Sequence, residues 1–378
     1  MAFCFFAVMQ NSKRILVAPL NWGLGHATRC IPIIQALIDH GHQPFIASDG
    51  VALSLLQKEF PNVPSFELSS YKITYAEKAK NFKIKMIWDS PKVLKAIAKE
   101  KKEVKRLVKE HKLDGIISDN RLGVFYKKVP CVFITHQLNV LSGNTTWMSS
   151  KVHQKVIKKF DACWVPDVEG KPNLTGKLGH LKKSKLKIAY LGPLSRFEKK
   201  ELPKQYNLMV LLSGPEPQRT FLEEKLLKEL QGFEGNILFV KGKIEGEQSK
   251  EEIKTEKGSI ILYNYMKSAE LGTSINQSEK VLCRSGYTTV MDLAKLEKKA
   301  FFIPTPGQYE QEYLAKRLEK QQLVPYCEQD DFSLEQLSRM KDFEGLTQFE
   351  SPMDYAGLFT VFSKVNENSD PTPTSLST

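Results

Sequence analysis

The chain of 378 residues has only six cysteines, at 4, 30, 131, 163, 283 and 327, and no C-x-x-C pair. Spread so widely, they describe neither a disulfide framework nor a zinc site, and a reducing cytoplasm is the expected compartment. The seven histidines form no cluster at metal-ligand spacing, and there is no acidic D-x-D motif for a divalent cation. No metal and no cofactor is therefore expected. Nor is there any run near the roughly 18 apolar residues that a membrane-spanning helix requires, which leaves a soluble or peripheral protein as the expectation. The opening "MAFCFFAVM" is apolar but lacks a basic n-region and a cleavage-like site. We read residues 1–8 as a disordered or misassigned start, with Met9 as the first residue.

What the chain does have is length for two α/β domains, each able to bury its own core. Apolar, branched runs alternate with helical patterns: "RILVAPL", "QPFIAS", "LDGIIS", "PCVFIT" and "ACWVP", then "LMVLLSG", "NILFV", "SIILYNY", "KVLCRSG" and "AFFIPTP". Such alternation predicts two doubly wound parallel sheets. The break near "GPLSRFEKKELPKQYN" sets the expected division. A first domain covers residues 1–190, a linker 191–206, a second domain 207–350, a C-terminal helix 351–365, and a disordered tail 366–378.

The net charge of +12 is concentrated. Residues 72–112 hold 14 Lys and Arg against 5 Asp and Glu. Part of this stretch is predicted to be a helix with Val93, Leu94, Ile97, Val104, Leu107 and Val108 on one face and lysines elsewhere. It reads as a solvated face or as a surface for anionic lipid, where each basic residue contributes about 1 kcal/mol. Interleaved aromatics and nucleic-acid motifs are missing, so no nucleic-acid partner is expected.

Parallel sheets bind ligands at the carboxyl ends of their strands. There "NWGLGH" turns a strand into a helix, with Gly23 and Gly25 making the turn and His26 in the first helical turn, where the dipole favours a neutral imidazole. A cap or a packing residue is the ordinary role of such a histidine, and a proton acceptor the more specific one. In "CRSGYTTVMD" the backbone N–H groups of Gly286, Tyr287 and Thr288 open a helix able to hold a diphosphate. Asp292, farther along, suits the hydroxyls of a ribose. Glu310 and Gln311, in "GQYEQ", offer acceptors and donors to sugar hydroxyls. Taken singly, each is an ordinary cap or surface polar residue.

Over residues 14 to 330, the order "GLGH", a mid-chain "SG" loop, "RSGYTTVMD", then "P" followed by "EQ" resembles the GT-B glycosyltransferases. The similarity is greatest to the MurG-type, family 28-like group. It implies two Rossmann-like domains facing across a cleft, and transfer of a sugar from a UDP-sugar donor, metal-independent and inverting. It places His26 beside the reacting centre as catalytic base. Ser285, Gly286, Tyr287 and Thr288 then meet the diphosphate, Asp292 the ribose, and Glu310 with Gln311 the donor sugar. Ser213 and Gly214 form the mid-chain loop, and Tyr263 meets the uracil through its backbone. His136, Gln137 and Asn139 of "FITHQLNVLSG" fall on the acceptor side with Gly23 and Gly25. The resemblance does not identify the acceptor; a lipid or a glycan, met at the inner face of the cell membrane, is the class expected. The chain departs from the group in three places. Pro215 and Pro217 remove N–H groups from the mid-chain loop, Asp292 stands for a glutamate, and Trp22 stands for a glycine. Two alternatives share these features: a nucleotide-sugar hydrolase or epimerase of the same fold, and a non-catalytic basic membrane-associated binding protein.

Overall fold

The computed structural model describes residues 12–71, 91–141, 146–243, 246–349 and 353–363. The expectations for residues 1–8, for 72–90 of the lysine-rich stretch and for the tail lie outside the described residues.

The first sheet is built from β1 (Arg14–Pro19), β2 (Gln43–Ser48), β3 (Ser65–Glu67), β4 (Gly115–Asp119), β5 (Cys131–Ile134), β6 (Ala162–Val165) and β7 (Ile188–Tyr190), in the order β3-β2-β1-β4-β5-β6-β7. Every pair is parallel, with Val17 opposite both Ile46 and Ile117. The strands are apolar on both sides because helices cover both faces. Ile15 and Val17 pack with helix α1 (Leu24–Asp39) and α2 (Gly50–Glu59), while Leu16 and Ala18 pack with α3 (Pro91–Glu110) and α4 (Thr146–Ile157).

The second sheet runs β10-β11-β9-β8-β12-β13. Its strands are β8 (Tyr206–Leu211), β9 (Gly235–Val240), β10 (Lys250–Thr255), β11 (Gly258–Tyr263), β12 (Ser278–Cys283) and β13 (Lys299–Phe302). Only the hairpin β10–β11 is antiparallel. Its helices are α5 (Gln218–Glu229), α6 (Ser268–Asn276), α7 (Tyr287–Lys295) and α8 (Tyr309–Lys320).

The chain then returns. Helix α9 (Tyr355–Phe359) and the turn after it place Phe359 and Phe362 in the core of the first domain, beside Trp164. Burying each aromatic ring contributes about 1.5–3 kcal/mol, so the last described segment ties the two domains together.

The expected apolar face of α3 is corrected at one position. Val93, Val104, Leu107 and Val108 are buried, but Leu94 is 55% exposed. Glu100 of the same helix is wholly buried instead, because Arg121 donates to it from Nε at 2.5 Å and the Gly123 N–H at 2.8 Å. Paired and hydrogen-bonded, a carboxylate can occupy a core position that an apolar stripe alone would not predict.

Candidate active site

In each sheet the strand order reverses beside the first strand of the domain, between β1 and β4 and again between β8 and β12. The loops diverge there and leave a crevice at the carboxyl edge. After β1, Gly23 at φ 73° caps α1 in a conformation that only glycine adopts without strain. Gly25 allows the domains to touch, since a Cβ on it would lie 2.6 Å from Oγ1 of Thr288 on α7.

His26, the third residue of α1, places Nδ1 3.0 Å from Oδ1 of Asp119, the last residue of β4. Asp119 is fully buried and also accepts from Nε of Arg29 at 2.5 Å. Burial opposes its charge, but Arg29 and His26 overcome that and hold the carboxyl well below the usual range. His26 moves the other way. Burial first, then the Arg29 charge, lowers its pKa against the pull of Asp119, so the ring is neutral at physiological pH. The dipole argument predicted the same state, and burial is the larger cause.

From the loop after β5, His136 sets Nε2 3.1 Å from Oε2 of Glu310, and the Gln137 amide donates to the same oxygen. The His136 ring stacks on Tyr287 with centroids 4.0 Å apart, and the Tyr287 hydroxyl donates to the Pro166 carbonyl. Arg317 of α8 donates to the carbonyl of Asn173 at 3.0 Å, and the Lys177 N–H to the Tyr313 hydroxyl at 3.0 Å. The cleft is thus drawn together around one cluster: Gly25, His26, His136, Gln137, Tyr287, Thr288 and Glu310.

On the second domain Gly286 caps α7, and the buried Ser285 hydroxyl donates to the Gln311 carbonyl at 2.8 Å. The Gln311 side chain braces its own loop, accepting from the Thr305 N–H at 2.9 Å and donating to Gln308 at 2.8 Å. Gly214, at φ 106°, follows Ser213 in the loop after β8 and faces the Thr305 hydroxyl. Asp292 accepts from the Ser195 hydroxyl of the linker at 2.6 Å, and burial raises its pKa to about 6. Tyr263 and Asn139 both make backbone-directed hydrogen bonds. The Tyr263 carbonyl accepts from the Lys241 N–H at 2.8 Å, and Asn139 donates to the Lys177 carbonyl at 2.5 Å, bracing that segment.

Residues 217–342 match the glycosyltransferase family 28 C-terminal domain, and residues 13–159 match glycosyl transferase family 1. The MurG structure of Acinetobacter baumannii covers 93% of this chain and 99% of its own, with a TM-score of 0.58 at 14% identity. The chain has the GT-B fold of glycosyltransferases, and each of its two domains matches a glycosyltransferase family model. Among sequence relatives, the Haemophilus ducreyi UDP-N-acetylglucosamine–N-acetylmuramyl-(pentapeptide) pyrophosphoryl-undecaprenol N-acetylglucosamine transferase is 24% identical over 226 residues. That match spans 57% of this chain and 59% of the relative's length. An uncharacterized glycosyltransferase of Methanosarcina acetivorans is 23% identical over 82% of this chain and 84% of its own.

Three residues of this site escape a reading of the sequence alone. Asp119 and Arg29 hold His26, and Ser195 holds Asp292. Asp119 did carry one signal, since "IISDN" ends a predicted strand at the ligand-binding edge. Arg29 and Ser195 carried none. Among the described residues no three His, Cys, Asp or Glu side chains are placed to hold a metal ion. No described helix is long and apolar enough to cross a membrane.

Proposed function

We propose that this transferase moves a sugar from a UDP-sugar to an acceptor hydroxyl by direct displacement, with inversion and without a metal ion. The observation that carries the reading is the His26–Asp119 pair at the carboxyl edge of the first sheet, facing the N-terminus of α7 across the cleft. A carboxylate only accepts, so Asp119 orients the ring with its proton on Nδ1 and leaves the Nε2 lone pair to take the acceptor's proton. As the acceptor oxygen bonds to the anomeric carbon, the bond from that carbon to the UDP oxygen breaks. The charge that develops on UDP falls to the backbone N–H groups and dipole of α7.

Donor binding requires two exchanges. A ribose hydroxyl replaces Ser195 on Asp292, and Glu310 leaves His136 and Gln137 to reach the sugar, which frees the acceptor side. Pro215 and Pro217 supply no N–H, so the mid-chain loop contributes less to the diphosphate than α7 does.

The acceptor we favour is a lipid or a glycan at the inner face of the cell membrane, the chain being peripheral there. Helix α3 turns Lys95, Lys99, Lys101, Lys102, Lys105, Arg106 and Lys109 to solvent. On the same face of the sheet α4 exposes Trp147 at 70%, with the Lys151 ammonium 4.0 Å from its ring centroid.

The test is protection of the purified chain against thermal unfolding by UDP, dTDP and GDP and by their sugars, repeated with Asp292→Ala. UDP compounds should protect, and the variant should lose about tenfold in UDP affinity, or ~1.4 kcal/mol. Unchanged UDP binding by folded Asp292→Ala would overturn the donor-site assignment.

A further inference from the structure

Arg29 lies on α1 one turn beyond His26, is 3% exposed, and meets three groups at once. Its Nε and Nη2 grip Asp119 as a fork, while Nη1 lies 2.9 Å from Nδ1 of His136. A guanidinium in a protein stays protonated and only donates. Nδ1 of His136 therefore carries its lone pair, and the ring proton sits on Nε2, where it donates to Glu310. His26 is held the other way round. Arg29 Nη2 also approaches Nδ1 of His26, to 2.7 Å, but a lone pair on that nitrogen would face Oδ1 of Asp119 with no proton between them. The proton belongs on Nδ1.

We infer that Arg29 is a positioning residue of the transfer site, one guanidinium that acts through Asp119 and His136 to set the two histidines with opposite polarity toward the cleft. His26 presents a proton acceptor and His136 a hydrogen-bond donor, with ring centroids 6.5 Å apart. The catalytic consequence rests on the reading of His26 as the base. The tautomers rest on contacts alone.

The charged and titratable groups acting on His26 are Arg29 from α1, Asp119 from β4 and His136 from the loop after β5, while Tyr287 from α7 and Glu310 from α8 act on Arg29. Of these, Arg29 opposes protonation of His26 and Asp119 favours it. Replacing Arg29 by glutamine removes one positive charge that opposes Asp119, so His26, still held down by burial and His136, should take up its proton at a higher pH.

Nitrogen NMR of the full-length chain labelled at histidine tests the tautomers directly, with signals assigned through His26→Gln and His136→Gln. His136 should be protonated at Nε2 and bare at Nδ1, and His26 the reverse. A proton on Nδ1 of His136 would overturn the inference. Arg29→Gln should lower kcat by about tenfold or more, leave the donor KM little changed, and move the acid limb of kcat/KM upward by about one pH unit. Arg29→Lys, which keeps the charge but loses the fork, should lower kcat with a smaller shift of that limb. A loss of packing alone would reduce the active fraction and leave the limb in place, so a folded Arg29→Gln with an unmoved limb also overturns the inference. If that variant does not fold, the spectra of the native chain decide alone. Retained transfer by His26→Ala would remove the base reading while leaving the measured tautomers standing, so the two failures are told apart.

Discussion

Replacing Asp119 by asparagine removes one charge with almost no change in volume, and the site turns that change into two separable effects. The first is on stability. The carboxylate is fully buried and neutralises Arg29, itself 3% exposed. Leaving such a cation uncompensated costs about 3–5 kcal/mol. For domains of this size each kcal/mol lowers Tm by about 2–4 °C, so a fall on the order of 6–20 °C is expected. The second effect is on chemistry. With its carbonyl held by Arg29, the amide introduced by Asp119→Asn turns an N–H toward Nδ1 of His26, which must then accept. The ring proton moves to Nε2, and the nitrogen facing the cleft becomes a donor. Losing a general base lowers transfer by ~10²- to 10⁴-fold, or about 2.7–5.4 kcal/mol of barrier.

The assay is single-turnover transfer at saturating donor, at a temperature where circular dichroism shows the variant folded, beside calorimetric titration with UDP. Affinity for UDP should stay within about threefold, because its loops lie on the second domain. The two Tm values should also converge in acid. Asp119 has a depressed pKa in the folded chain, so its contribution is present above the ordinary carboxylate range near pH ~4 and is lost as pH falls below it. A folded Asp119→Asn that transfers sugar within a few fold of the native rate would refute the role given to this pair.

Further outcomes are expected at other residues. His26→Ala should keep UDP-sugar affinity within a few fold while transfer falls ~10²-fold or more, and near-native transfer at saturating substrates would make His26 a packing residue. For Asp292, burial raises the pKa to about 6, so the folded chain holds that proton more tightly than the unfolded chain and loses stability as pH rises through 6. Asp292→Asn should therefore have a higher Tm than the native chain at pH 8, with the gain shrinking toward pH 4, and equal Tm values at pH 8 would contradict this. The basic face of α3 and Trp147 should carry the chain down with acidic vesicles at low salt and release it as salt rises, less so after Trp147→Ala. Equal sedimentation with neutral vesicles would leave those lysines a solvated face.

The parts of the fold that were legible are those set by neighbours in the chain. A run such as "RILVAP" is apolar on both sides because helices cover both faces of a parallel sheet, and the pattern can be read without knowing which helices. Gly23 and the "RSG" turn are visible for the same reason, since the conformation each requires is local. Where the reading missed, a distant residue had changed what the local pattern meant. Leu94 was assigned to a buried face and is exposed, while Glu100 of the same helix is buried because Arg121, 21 residues away, neutralises it. Asp292 was visible as a carboxylate on the helix after the turn, but not its partner Ser195, 97 residues earlier in the chain.

The sequence by itself determined the two α/β halves, the strand-to-helix turns at their carboxyl edges and the presence of His26 in one of them, because hydrophobic periodicity and glycine conformation act over a few residues. Which groups surround His26 was decided only in three dimensions. Asp119 reaches it across 93 residues, Arg29 joins both to His136, and Glu310 closes on that histidine from the other domain. Proton position and charge respond to whatever lies within a few ångströms, and separation along the chain says nothing about which residues those are.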